Sequence, residues 1–234
     1  MYNPAVVARS MLTIDFLSGG RAIMGVGVGG QYPNEWEAAQ QNIHNRGKRA
    51  DEALAIIRQM WTENEINHHG RFYDLSDISM EPKSQAPDGI PIWVGGSSDA
   101  ALRRAAQFGD GWTSTQMSSA QWQQNMEKVH EFAGEMGRDM SSFQGIHSLS
   151  ICIDKDREKA QSRARAIVGD GGRVPFDELI DDYVCVGDAD DCARVIRKFT
   201  NAGASWFMLS PMGKLEDLMP QLELIAQDLI PKFR

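Results

Sequence analysis

Between Pro91 and Trp112 the chain reads PIWVGGSSDAALRRAAQFGDGW. A short apolar run, Ile92-Trp93-Val94, meets Gly95-Gly96-Ser97-Ser98, and a helical pattern follows. Bare backbone at the start of a helix is chemically useful. Glycine lets the chain turn with positive φ and lets a ligand approach closely. The first helical N–H groups lack internal partners and carry partial positive charge. Two serine hydroxyls add further donors, so Gly95, Gly96, Ser97 and Ser98 have the makeup of a phosphate cradle. Two features argue for a plainer role. Ser98 is a good N-cap, and Asp99 places a carboxylate where an anion would sit.

A second glycine run, GVGVGG from Gly25 to Gly30, lies in a strand-like segment. Alternate glycines clear one strand face of side chains, which suits a flat ring lying against backbone. Close packing inside a barrel would use the same pattern. The G-x-G-x-x-G spacing and the following helix of a dinucleotide fingerprint are both absent.

Other residues carry weaker chemistry. His68 and His69 are adjacent on a strand and therefore face opposite ways, so they do not share an ion, and no metal site is expected. His44 and His147 are isolated. Glu35 follows the glycine strand as a candidate acid or as a solvated carboxylate. Arg46, Asp51 and Glu52 form one turn of mixed charge that fits a structural ion pair. Trp112 suits either a pocket wall or the core, and Asp110 suits a loop cap. No Ser-His-Asp or Cys-His arrangement stands out, and no catalytic residue is assigned.

The elements that position these residues alternate. Helices are expected over 4–17, 46–61, 98–108, 119–136, 155–168, 189–200 and 215–229, with residues 31–45 as a loop. Asn3-Pro4 opens the first helix and Ser18-Gly19-Gly20-Arg21 stops it. Ala50, Leu54, Ile57 and Trp61 share a face of the second; Ala101, Leu102, Ala105 and Ala106 point inward from the third. About five barrel-type strands fall at 22–28, 91–95, 111–114, 146–153 and 205–210, with a hairpin around His69-Gly70 and a glycine-rich break after Val168. This alternation predicts an α/β fold with a mostly parallel sheet, either open or closed into a (β/α) barrel. In both, ligands collect at the carboxyl ends of the strands.

The 234 residues carry a net charge of -8, with 42% hydrophobic and 24% charged residues. No dense basic run exists, which excludes a nucleic-acid surface. No window reaches the ~20 apolar residues of a membrane span. The start has no signal-peptide pattern. The three cysteines, Cys152, Cys185 and Cys192, fit no metal or redox spacing and suit a reducing compartment. A cytoplasmic protein is expected.

Taken in order, LTIDFLSGGRAIMGVGVGG, NEWEA, RGKRADEALAIIRQMW, GRFYDL, PIWVGGSSDAALRRAAQFGDGW and VGDADDCARVIRKFTNAGASWFMLS resemble the luciferase-like family of flavin- and deazaflavin-dependent oxidoreductases. The resemblance covers most of residues 4–210. It implies a (β/α)8 TIM-type barrel binding FMN or coenzyme F420 at the carboxyl ends of its strands. Gly95, Gly96, Ser97 and Ser98 would hold the cofactor phosphate, and Gly27, Val28 and Gly29 would line the cofactor. Val28 replaces an arginine of bacterial luciferase, which speaks against light emission. Gly30 stands where some F420 enzymes carry a catalytic glutamate.

The resemblance also implies about three βα units ahead of the first helix, which here follows Met1 almost directly. One incomplete barrel domain over 1–234 is therefore expected. Its open edges, together with the resemblance, predict a homodimer. Hydride transfer or monooxygenation of a small organic substrate is the expected activity, with an inactive barrel remnant that needs a partner chain as the alternative.

Overall fold

In the computed structural model residues 2–30, 32–168, 180 and 182–234 are described. The chain divides into two compact units, 1–112 with 129–143 and 113–128 with 144–234.

The first unit opens with α1 (Pro4–Ser18). The Asn3 side chain accepts from Ala5 N–H at 2.9 Å, and Gly19 closes the helix in the left-handed region at φ 65°. β1 (Met24–Val26), α2 (Pro33–Ala38), α3 (Arg46–Thr62), the hairpin strands β2 (Ile66–His69) and β3 (Asp74–Ile78), β4 (Ile92–Gly95) and α4 (Asp99–Phe108) follow. The span expected as loop contains α2, because Pro33 suits a first helical turn and Trp36 anchors it in the core. β1 and β4 are parallel neighbours, Met24 opposite Ile92 and Val26 opposite Val94.

α3 buries more than the expected face. Leu54, Ile57 and Trp61 are buried as expected, and Ile56 and Met60 join them, while Ala50 is only half-buried. Trp61 donates its indole N–H to the Ala8 carbonyl at 3.1 Å, which ties α3 to α1. In α4, Ala101, Leu102, Ala105 and Ala106 all face inward.

β5 (Gly111–Thr115) and α5 (Ser119–Glu135) contribute residues to both units. The second unit continues with β6 (Gln144–Ile153), α6 (Arg157–Val168), β7 (Val184–Gly187), α7 (Ala189–Asn201), β8 (Trp206–Pro211) and α8 (Leu215–Leu224). β6 runs parallel to both β7 and β8, with Ile151 opposite Cys185 and Ile146 opposite Trp206. β7 was not anticipated as a strand. The glycine-rich break before it lies outside the described residues. The last helix was expected to run to Leu229, but its hydrogen bonding widens to the π pattern over Ile225–Leu229. α7 begins on a capping box between Asp188 and Asp191, then buries Cys192, Val195, Ile196 and Phe199. Cys152, Ala160, Ala164, Val184 and Val186 form the core beneath α6. All three cysteines are free and buried. Among the described residues no helix is long and apolar enough to cross a membrane.

His147 sits inside this second unit. Its Nδ1 lies 2.8 Å from Ser114 Oγ, and its ring stacks on Phe199 at 4.1 Å. Burial pulls its pKa down from the ordinary 6.5 to about 4. The unfolded chain therefore takes up a proton below pH 6.5 that the folded chain refuses until about pH 4. Stability is expected to be complete above pH 6.5 and to fall as pH drops toward 4. Urea unfolding across this range should show that slope, and His147→Phe should flatten it. An unchanged slope in the variant would assign the loss to other groups.

Candidate functional site

The parallel register of β1 and β4 settles where the two glycine runs lie. Val26 pairs with Val94; the first glycine run, which starts within β1 at Gly25, passes out of the strand at Gly27, and the second starts at Gly95. Both runs therefore leave the carboxyl ends of adjacent strands. Gly27 and Gly29 are exposed, with Val28 half-buried between them. Gly95 is half-buried, and Gly96, Ser97 and Ser98 are exposed. All seven residues singled out from the sequence thus gather at one end of β1 and β4.

Each loop is shaped by contacts that demand glycine. Gly96 has φ +114°, and a Cβ there would stand 2.9 Å from the Ala101 Cβ. Gly29 has φ +94°, and a Cβ there would stand 2.7 Å from the Trp36 ring. Trp36 is buried and donates its indole N–H to the Gly30 carbonyl at 3.0 Å. Trp112 is buried as well and donates to the Gly96 carbonyl at 2.7 Å. Of the two roles open to Trp112, the core is the one it fills, and from there it holds the loop.

Ser98 is the N-cap of α4, accepting from Ala101 N–H at 3.3 Å. Capping uses a lone pair and leaves the hydroxyl proton available to an anion. α4 has ten residues, so its first-turn amides present a full helix dipole end. Asp99 is exposed in that same turn. The chemistry on offer is a backbone surface without side chains next to a patch of amide and hydroxyl donors. That combination fits a planar ring carrying a phosphorylated tail.

The surrounding polar residues are structural. Asp110 accepts from Ile92 N–H at 2.8 Å and from Arg58 at 2.7 Å, which pins the start of β4. Asp51 pairs with the buried Arg104, tying α3 to α4. Glu52 accepts from the backbone N–H groups of Phe72 at 3.0 Å and Tyr73 at 2.9 Å and lies 3.2 Å from His68 Nε2. Burial acts to raise the Glu52 carboxyl, but those amides and His68 outweigh it, and the pKa lies below its ordinary value. Glu52 therefore fastens α3 to the hairpin. His69 turns to Asp74, 2.5 Å away, while His68 faces Glu52, so the two histidines have separate partners. Glu35 is exposed in the first turn of α2; a Cβ on Gly30 would lie 3.4 Å from its Oε2.

Comparison with known proteins is consistent with this geometry. The profile of the luciferase-like monooxygenase family matches residues 1–205. A 5,10-methylenetetrahydromethanopterin reductase of Archaeoglobus fulgidus is 26% identical over 276 residues, spanning 99% of this chain and 80% of its own. An F420-dependent glucose-6-phosphate dehydrogenase of Segniliparus rotundus is 23% identical over 256 residues, spanning 100% of this chain and 75% of its own. Among solved structures, an F420-dependent secondary alcohol dehydrogenase in complex with an F420-acetone adduct superposes with a TM-score of 0.84 at 22% identity. That match covers 100% of this chain and 76% of the other. Such neighbours are TIM barrels, so the barrel-type α/β fold expected from the sequence is the fold observed.

Proposed function

The chain belongs to the luciferase-like monooxygenase family and is an oxidoreductase using FMN or F420 on a small organic substrate, and from that premise we propose that its cofactor is F420 and its reaction hydride transfer. The adjacency of the two glycine runs across β1 and β4 carries the site assignment. The relatives named for F420 favour the deazaflavin over FMN.

F420, when bound, supplies the hydride chemistry, and the protein supplies orientation and shelter from water. Gly27, where a Cβ would meet nothing within 4 Å, leaves the face beside β1 open to a ring, and Gly29 lets the loop close on Trp36. Val28 lines the cofactor between them. Gly95 and Gly96 let the backbone approach the phosphate, while Ser97, Ser98 and the first-turn amides of α4 donate to it. Trp112 keeps the loop in its donating conformation by holding the Gly96 carbonyl.

Fluorescence titration of the purified chain tests the cofactor choice. F420 is expected to saturate at micromolar concentration, with FMN at least tenfold weaker (about 1.4 kcal/mol). Tighter binding of FMN, or of neither, overturns the choice of F420. The proposal extends to a cytoplasmic homodimer, supported by the free cysteines and by the exposed Val6, Ile14, Phe16 and Leu17 of α1. A monomeric mass by light scattering of the same sample would refute the dimer.

A further inference from the structure

A cavity of about 380 Å³ lies in the first unit beside the glycine run of β1. Val7 and Met11 of α1 and Ala53, Leu54 and Ile57 of α3 make it largely apolar. Gly27, Val28 and Gly29 line it and none of Gly95, Gly96, Ser97 or Ser98 does, so it lies on the ring side of the proposed cofactor site, apart from the phosphate loop.

Two arginines line this apolar space, Arg46 and Arg49. They differ in one decisive respect. Arg49 donates to Tyr73 Oη at 3.0 Å and to Gln41 Oε1, and lies 5.2 Å from the Tyr73 ring centre. Its fork is committed. Arg46 is half-buried, and among the described residues it has no hydrogen bond, ion pair or ring contact. Neighbouring acids are committed elsewhere: Asp51 to Arg104, and Glu52 to the hairpin amides. α3 has no acid in its first turn. A partly desolvated guanidinium without an anion is unfavourable and becomes favourable once one is supplied.

We propose that this cavity is a binding site for a small amphiphilic carboxylic acid, its apolar body against α1 and α3 and its carboxylate on Arg46. A carboxylate is the match because one uncommitted planar fork suits one planar monoanion. A phosphate dianion would ask for more donors than Arg46 alone offers. The volume lies in the lower part of the ~300–1,000 Å³ range of small-molecule pockets, which points to a small acid. The inference rests on the proposed cofactor site, because Gly27, Val28 and Gly29 wall this cavity as well as the place assigned to the ring.

Calorimetric titration of the cofactor-free chain with octanoate, octanamide and octyl phosphate tests this. Octanoate is expected to bind saturably, with octanamide and octyl phosphate each at least tenfold weaker. Arg46→Gln should weaken octanoate at least tenfold and leave octanamide unchanged, while Arg46→Lys should recover part of the loss. Far-UV circular dichroism confirms that the variants fold, and the octanoate–octanamide comparison needs no variant at all. No saturable octanoate binding, equal binding of octanamide, tighter binding of octyl phosphate, or indifference to Arg46→Gln would each overturn the proposal.

Discussion

Gly96→Val is expected to abolish F420 binding at micromolar concentration and to destabilise the fold by roughly 2–6 kcal/mol. Two penalties combine. Gly96 holds φ +114°, where a β-branched residue is strained by about 1–3 kcal/mol. Its new Cβ would also stand 2.9 Å from the Ala101 Cβ, on the first turn of α4. Ala101 is buried, so relieving the clash must move α4 or the loop, adding about 1–3 kcal/mol. Either shift pulls the Gly96 carbonyl from the Trp112 N–H and misdirects the donors of Ser97 and Ser98. Gly134 in α5 is the control: its backbone φ is ordinary, and a Cβ there meets nothing within 4 Å. Gly134→Ala should be neutral or stabilising by about 0.5–1 kcal/mol and leave cofactor affinity untouched. Urea unfolding and F420 titration of both variants check this. Wild-type affinity in Gly96→Val would remove the loop from the cofactor site.

Why so much of the architecture was legible in the residues follows from where its determinants lie. α1 is bounded by Asn3, Pro4 and Gly19, whose roles are local and do not depend on the rest of the fold. α4 shows its buried face because Ala101, Leu102, Ala105 and Ala106 recur at helical spacing. β7 escaped notice because it is only four residues, Val184–Gly187, and is fully buried. Such a short apolar run shows no alternation that marks a strand. α2 was missed for a related reason, since its six residues bury one large side chain, Trp36, and leave no periodic face.

The site divides in the same way. Glycine at a close backbone approach is visible in sequence, so both runs could be singled out. Their adjacency was not visible, because it comes from the pairing of β1 with β4, 68 residues later, Val26 opposite Val94. Nor could sequence show what holds the loops. The indole N–H groups of Trp112 and Trp36 reach backbone carbonyls, and such contacts leave no spacing signal. Glu52 is the clearest case. It looked like one member of a mixed-charge turn, yet its partners are hairpin amides some twenty positions away, at Phe72 and Tyr73. Nothing in the sequence marks Arg46 as uncommitted, because that depends on the distant partners of Arg49, Asp51 and Glu52.

The other turn-mate of Glu52 supports the helix that follows the Gly95–Ser98 loop. Asp51 pairs with Arg104, whose side chain is 5% exposed while that of Asp51 is 39% exposed. Asp51→Ala is expected to cost about 2–4 kcal/mol, somewhat under the ~3–5 of a fully buried pair, because water reaches the carboxylate side. The cost arises mainly from the guanidinium left behind. It stays desolvated within α4 with its anion gone, and Gly47 nearby leaves little room to move: a Cβ there would already be 3.1 Å from Arg104 Nη2. The double change Asp51→Ala with Arg104→Met should therefore be less destabilising than Asp51→Ala alone, because it removes the orphaned charge and keeps an apolar stem. α4 carries Ser98 at its cap, so loosening α3 from α4 should also weaken F420 binding in the single variant and restore part of it in the double. Urea unfolding of both proteins, with F420 titration of each, reads the two effects separately. A double variant less stable than the single would mean that Arg104 contributes through contacts other than its pair with Asp51.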